Sequence, residues 1–196
     1  MGNFTTLRKK AQEHDNFLRI DMEKSPYTEQ TVEIYQHCKT IYNNVGVVIQ
    51  SYLHRSLDDI HHLANGKFNS RICKGIYRES ESIAYQSREE IQDNFLSLAK
   101  TMVAQKAYSG YATHDQDLID RLLDWIEIEK ISKDLFEFQV LYGVPMEGRL
   151  QALLEAGYKI RVYVPYGPDW FDYSVRRLKE NPKIVSYVMR NFFRKR

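Results

Sequence analysis

The spacing of apolar positions changes period repeatedly along the chain, and each change marks a new element. Leu7 to His14 is polar and helix-forming, after which Phe17 to Met22 (FLRIDM) alternates like a half-buried strand and ends at Asp21. Ser25-Pro26 opens a helix that runs through Cys38 to Asn43, with Val32, Ile34, Tyr35 and Ile41 as its apolar members. Val45 to Leu53 (VGVVIQSYL) is almost continuously apolar, the pattern of a parallel strand buried on both faces, and Gln50 interrupts its end. A short helix, Leu57 to Leu63, and an Asn65-Gly66 turn lead into the strand Asn69 to Tyr77 (NSRICKGIY). Within it, Arg71 and Lys74 are cations among core residues, which is costly unless something anionic lies beside them.

The second half repeats the scheme. An amphipathic helix covers roughly Ser87 to Gln105, and the strand Ala107 to His114 ends on Thr113 and His114. Asp115 is placed to cap a helix reaching about Lys130. Leu135 to Gly143 is a further strand, and a helix from Glu147 to Ala156 stops at Gly157, as helices often do at glycine. Tyr158 to Val164 is the last strand, Pro165 to Pro168 turns the chain, and Asp169 caps the closing helix.

Six strand and helix units without a linker or composition break predict one α/β domain with a parallel sheet and right-handed crossovers. Asp21, Gln50, Arg71 with Lys74, Thr113 with His114, and Tyr163 all fall at or near the C-terminal ends of their strands. In a barrel those ends converge on one mouth, whereas in an open sheet only the strands beside the switch point meet. Polar residues at five strand ends therefore favour a (βα)8-type barrel over a doubly wound sheet.

Composition narrows the partners. The net charge is +2, from 28 Lys and Arg against 26 Asp and Glu, so no nucleic-acid footprint is expected. The basic end, RNFFRKR, suits a frayed tail or peripheral contact with an anionic membrane surface. Cys38 and Cys73 have neither metal nor disulfide-framework spacing, which points to reduced thiols in the cytoplasm. No apolar run approaches the roughly 18 residues of a membrane span. Metal binding is disfavoured too, because no C-x-x-C pair is present and His61-His62 lies on a surface helix.

The stretch Asp169 to Asn181 (DWFDYSVRRLKEN) holds the most pointed chemistry. On a helix turning about 100° per residue, Tyr173, Arg176, Arg177 and Glu180 share one side, opposite Phe171, Val175 and Leu178. Adjacent guanidiniums offer planar forks to a small carboxylate or phosphate, although spacing alone describes a solvated ion-paired face equally well. No G-x-G-x-x-G, P-loop or G-x-S-x-G element is present, so a large cofactor would be held without the Rossmann device.

RIDMEKS, VGVVIQSYL, RICKGIY, YATHD, FEFQVLYG, RVYVPYG and above all YSVRRLKEN resemble, in order and over almost the whole chain, the flavin-dependent proline dehydrogenases of the short monofunctional bacterial form. The resemblance implies a (βα)8 barrel that binds FAD, oxidises L-proline to Δ1-pyrroline-5-carboxylate and passes electrons to a quinone. By it, Arg176 and Arg177 match the pair that grips the proline carboxylate, Tyr163 the tyrosine on the substrate ring, and Leu141 the apolar wall, with Tyr173 joining the enclosure. Asp21 matches the active-site aspartate and Arg71 the arginine close to flavin N5. Met22, Gln50 and Glu180 fall where the family makes other flavin contacts, as do Cys73, Lys74 and Gly75 on one strand and Thr113 and His114 on the next. Cys73 replaces the usual small aliphatic residue.

The match begins at the helix preceding the third barrel strand. Two strands, and the lysine the family carries on its first strand, are thus expected to be missing from these residues, leaving about six of eight units, two unpaired edges and an aggregation-prone fragment. A non-catalytic remnant, or a different barrel whose arginine pair binds phosphate, are the alternatives to an active enzyme.

Overall fold

A computed structural model describes residues 2–168, apart from 145, 147 and 165. The chain divides into two compact units, 1–137 and 138–196, which are described separately. The helix predicted from Asp169 lies outside the described residues.

The first unit opens with α1 (Gly2–Glu13), β1 (Leu18–Ile20), a 3-10 turn (Ser25–Tyr27) and α2 (Thr28–Ile41). It continues with β2 (Val45–Gln50), α3 (Ser56–Leu63), β3 (Asn69–Cys73), α4 (Arg88–Ala104), β4 (Tyr108–Ala112) and α5 (Gln116–Ile128). The strand β5 (Phe136–Leu141) crosses into the second unit, where α6 (Arg149–Glu155) and β6 (Ile160–Tyr163) follow. In the sheet the strands stand in sequence order, and the pairs β1 with β2, β2 with β3, β3 with β4, and β5 with β6 are parallel. Each strand is followed by a helix or, after β6, by the end of the described chain, so the βα alternation expected from the sequence is present.

Side-chain periodicity explains the packing. All six residues of β2 are buried, as its unbroken apolar run requires. In β3, Ser70 and Ile72 face the buried side while Asn69, Arg71 and Cys73 share the other face, because successive residues alternate across a sheet. On α5 the buried residues Leu118, Ile119, Leu122 and Ile126 form one stripe, and Asp117, Asp120 and Asp124 are exposed. The α4 stripe of Phe95, Leu98, Ala99 and Met102 is wholly buried. Tyr111 links these layers: its ring stacks on Phe136 at 5.3 Å and meets Phe95 edge-on at 6.3 Å. Each such fully buried large side chain contributes roughly 1.5–3 kcal/mol.

Ser87 starts α4 with a reciprocal capping box, its hydroxyl accepting from the Glu90 N–H while Glu90 accepts from the Ser87 backbone. Asp115 does not cap α5 with its side chain, contrary to expectation; that carboxylate is taken by more strongly bonding cations. Strand ends are also corrected: the strand expected to end on Thr113 and His114 stops at Ala112, and both residues follow it. Lys74 and Gly75 are not in a strand, because β3 stops at Cys73 and Gly75 has φ +99°, a left-handed conformation no strand residue adopts. The hydrogen bonding to the β2 end nevertheless continues, with the Ser51 and Tyr52 N–H groups donating to Cys73 O at 2.7 Å and Lys74 O at 2.9 Å.

One strand residue has an environment the periodicity did not reveal. The Arg19 guanidinium donates to Val47 O (3.2 Å), Asn69 O (3.1 Å) and Asn69 Oδ1 (2.7 Å), and lies 4.7 Å over the Phe17 ring. Gly46 makes this possible, since a Cβ there would stand 2.4 Å from Asn69 O and 2.6 Å from Arg19 Nη1.

Candidate functional site

Adjacent parallel strands bring their C-terminal ends side by side, and this gathers most of the residues singled out in the first unit. Asp21 follows β1 directly, Gln50 ends β2, Arg71 lies in β3 and Thr113 with His114 follow β4. Register aligns Gln50 with Cys73, Cys73 with Ala112, and Arg71 with Gly110.

Arg71 and Asp21 form an ion pair across fifty residues of sequence. The Arg71 side chain is 21% exposed and that of Asp21 60%, so the pair lies at the solvent boundary, with the cation as its inner member. The anion that an embedded Arg71 called for is thus supplied by the protein itself.

Gln50 is 3% exposed, and its side-chain N–H reaches Met22 O only at 3.5 Å. Its Oε1 has no hydrogen-bond partner among the described residues. A buried acceptor left unsatisfied costs about 1–3 kcal/mol, so this oxygen fits a site for an external N–H or O–H donor. Met22 is itself buried, at 6%. Burial pushes the Cys73 thiol up to about 11, which keeps it protonated and unreactive near neutral pH.

Gly75 packs against Tyr52, whose ring would lie 2.2 Å from any Cβ added there. The segment after β3 is pinned on both sides. Ser25 N and Oγ donate to the Glu79 carboxylate at 2.9 and 2.8 Å, and the Tyr85 N–H donates to Tyr52 O at 2.8 Å. Tyr77 donates to the Glu23 carboxylate, tying the same segment to the loop after β1. Nothing in the local sequence signals these pairings, since each partner is more than thirty residues away.

Asp115 was read only as a cap, yet it has the densest polar environment of the region. Its carboxylate accepts from Lys74 Nζ (2.9 Å), Arg88 Nη2 (2.6 Å) and Gln92 Nε2 (2.9 Å), and its side chain is 5% exposed. Burial alone would raise this carboxyl, but the Arg88, Lys74 and Gln92 hydrogen bonds prevail and hold it well below the usual carboxylate range. Burial first, and the Lys74 charge second, lower the His114 imidazole below its ordinary value, which keeps it neutral at pH 7. Thr113 is buried and accepts the Asp115 N–H at 3.1 Å.

In the second unit, Leu141 ends β5 half-buried and pairs in register with Tyr163, which is exposed at the end of β6. Tyr173, Arg176, Arg177 and Glu180 lie outside the described residues. No group of three or more His, Cys, Asp or Glu residues able to hold a metal occurs among the described residues, and no helix among them is long and apolar enough to cross a membrane.

A sequence profile described as "Proline dehydrogenase" matches residues 3–190. Proline dehydrogenase 1 of Bacillus subtilis strain 168 is 39% identical over 185 residues, covering 94% of this chain and 61% of its own length. Proline dehydrogenase of Deinococcus radiodurans is 35% identical over 196 residues, covering 99% of this chain and 63% of its own. The chain therefore spans about three fifths of these curated relatives. Among solved structures, proline utilization A (PutA) from Bdellovibrio bacteriovorus, inactivated by N-propargylglycine, superposes with a TM-score of 0.78 at 25% identity, over 91% of this chain and 22% of that one. The fold is therefore the α/β barrel type of the matched part of that structure, here with six parallel strands among the described residues. On the profile match and these identities, the chain belongs to the proline dehydrogenase family.

Proposed function

We propose that this chain carries out the FAD-dependent oxidation of L-proline to Δ1-pyrroline-5-carboxylate, with electrons passed on to a quinone. The observation that carries the reading is the Arg71–Asp21 ion pair at the strand ends beside the buried, unpartnered Oε1 of Gln50. Those residues suit a flavin: an acceptor waiting for an N–H, such as the imide N–H of an isoalloxazine, and a cation held nearby but not fully spent on solvent. FAD, when bound, supplies a two-electron acceptor for hydride from the proline ring.

The chain's own residues do the positioning. Gln50 would hold the flavin through Oε1, with Met22, Cys73, Lys74, Gly75, Thr113, His114 and Glu180 completing its contacts. Arg71 stabilises negative charge that builds during the reaction, and Asp21 orients Arg71 through their ion pair. Arg176 and Arg177 hold the substrate carboxylate, while Tyr163, Tyr173 and Leu141 enclose the ring and exclude water. Loss of hydride from the carbon next to nitrogen, with loss of the N–H proton, gives the cyclic imine. A quinone acceptor and a peripheral seat on the inner face of the cell membrane complete the proposal, the latter supported by the basic RNFFRKR sequence.

Gln50→Leu tests the cofactor assignment. Leucine removes an unsatisfied buried acceptor, so the flavin-free chain should melt at the same temperature or higher, while FAD binds about tenfold more weakly. Titration calorimetry and thermal melting read the two effects separately. Unchanged FAD affinity would show that the Gln50 oxygen does not serve the flavin.

A further inference from the structure

We propose that Asp115 is a positioning residue for the cofactor: one buried carboxylate that fixes Lys74 after β3 and the Thr113–His114 turn after β4 in their binding places. The inference rests on the flavin reading given above and adds a residue to it.

Lys74 illustrates the need. Its side chain is 38% exposed, and a lysine stem with four rotatable bonds leaves the ammonium free to spread through solvent unless something holds it. Asp115 is the fixed partner. It is 5% exposed, and its two oxygens are bonded by Arg88 and Gln92 from the first turns of α4 as well as by Lys74 at 2.9 Å. Arg88 is tied in turn to Asp117, so the two cations and two carboxylates balance in charge. Removing the Asp115 charge would leave Arg88 its bond to Asp117 and would take from Lys74 its ion pair among the described residues.

The backbone of the same residue acts on the neighbouring strand. The Asp115 N–H donates to Thr113 Oγ1 at 3.1 Å, which uses the hydroxyl as an acceptor and leaves its hydrogen to be donated elsewhere. His114, between them, is kept neutral by burial and by Lys74. The side chain and backbone of Asp115 therefore set the position of one cation, the direction of one hydroxyl and the environment of one imidazole. These are three of the residues matched to flavin contacts. A helix cap would have needed none of this, and the Asp115 side chain makes no cap bond.

The experiment is a double-mutant cycle in the whole chain with Asp115→Asn and Lys74→Met, read by FAD titration, the visible flavin spectrum and amide hydrogen exchange of the flavin-free protein. Asparagine keeps the shape and loses the charge. Asp115→Asn alone should raise the FAD dissociation constant about tenfold, shift the flavin spectrum, and speed exchange at residues 74–87 and 113–117. In the Lys74→Met background its effect on FAD affinity should fall well below that seen alone, because part of its action passes through Lys74. An Asp115→Asn chain that binds FAD as tightly as the parent, or one whose loss is fully additive with Lys74→Met, overturns the positioning role. A parent chain that takes up no FAD overturns the flavin reading and this inference together, an outcome distinct from the other two.

Discussion

Arg71→Met is expected to slow proline-driven reduction of the flavin by at least about a hundredfold, the loss seen when one preorganised charge-stabilising group is removed from a reacting centre. Methionine keeps the length and much of the volume of the stem while deleting the guanidinium. The fold should tolerate the change. Asp21, the partner left behind, is 60% exposed and can be hydrated, so the ion pair contributes little to stability. Stopped-flow absorbance gives the rate and a thermal melt gives the control. A slow variant with an unchanged melting temperature supports a chemical role for Arg71, whereas a rate within about threefold of the parent would place the guanidinium outside the reaction.

Arg177→Ala carries the second large effect, at least about a tenfold rise in the Michaelis constant for proline. Each charge-assisted hydrogen bond to a carboxylate contributes roughly 1.5–3 kcal/mol, and losing one arm of a two-armed clamp removes at least that from binding. The carboxylate keeps its charge throughout the reaction, so ground state and transition state should weaken together and kcat should change less than the Michaelis constant. The clamp rests on the spacing of Arg176 and Arg177 and on the family match, since both lie outside the described residues. An unaltered Michaelis constant in steady-state assays with a quinone acceptor would remove Arg177 from the substrate site.

The residues that were legible in the sequence are those whose signal is local. The unbroken apolar run of β2 announced a strand buried on both faces, and the polar Gln50 stands at its buried end. Arg71 stood out because a cation in an apolar strand demands an anion, and Asp21 is that anion. What stayed hidden depends on contacts between distant segments. Asp115 meets Lys74 across 41 residues and Gln92 across 23, and a helix-start aspartate looks the same whether it caps a helix or holds a lysine. Gly75 read as one more strand residue, because the ladder to Tyr52 continues while its positive φ, invisible in the sequence, ends the strand. Arg19 was passed over as the polar member of an alternating strand. Its burial against Asn69 depends on the missing side chain of Gly46, one strand away.

We propose that proline oxidation by this chain runs through a bound flavin. Anaerobic addition of L-proline to the chain loaded with FAD tests it most directly. The yellow flavin absorbance should bleach and return on adding a quinone, and Δ1-pyrroline-5-carboxylate should accumulate in step with quinone reduced. FAD that binds and stays oxidised in the presence of saturating proline would contradict it.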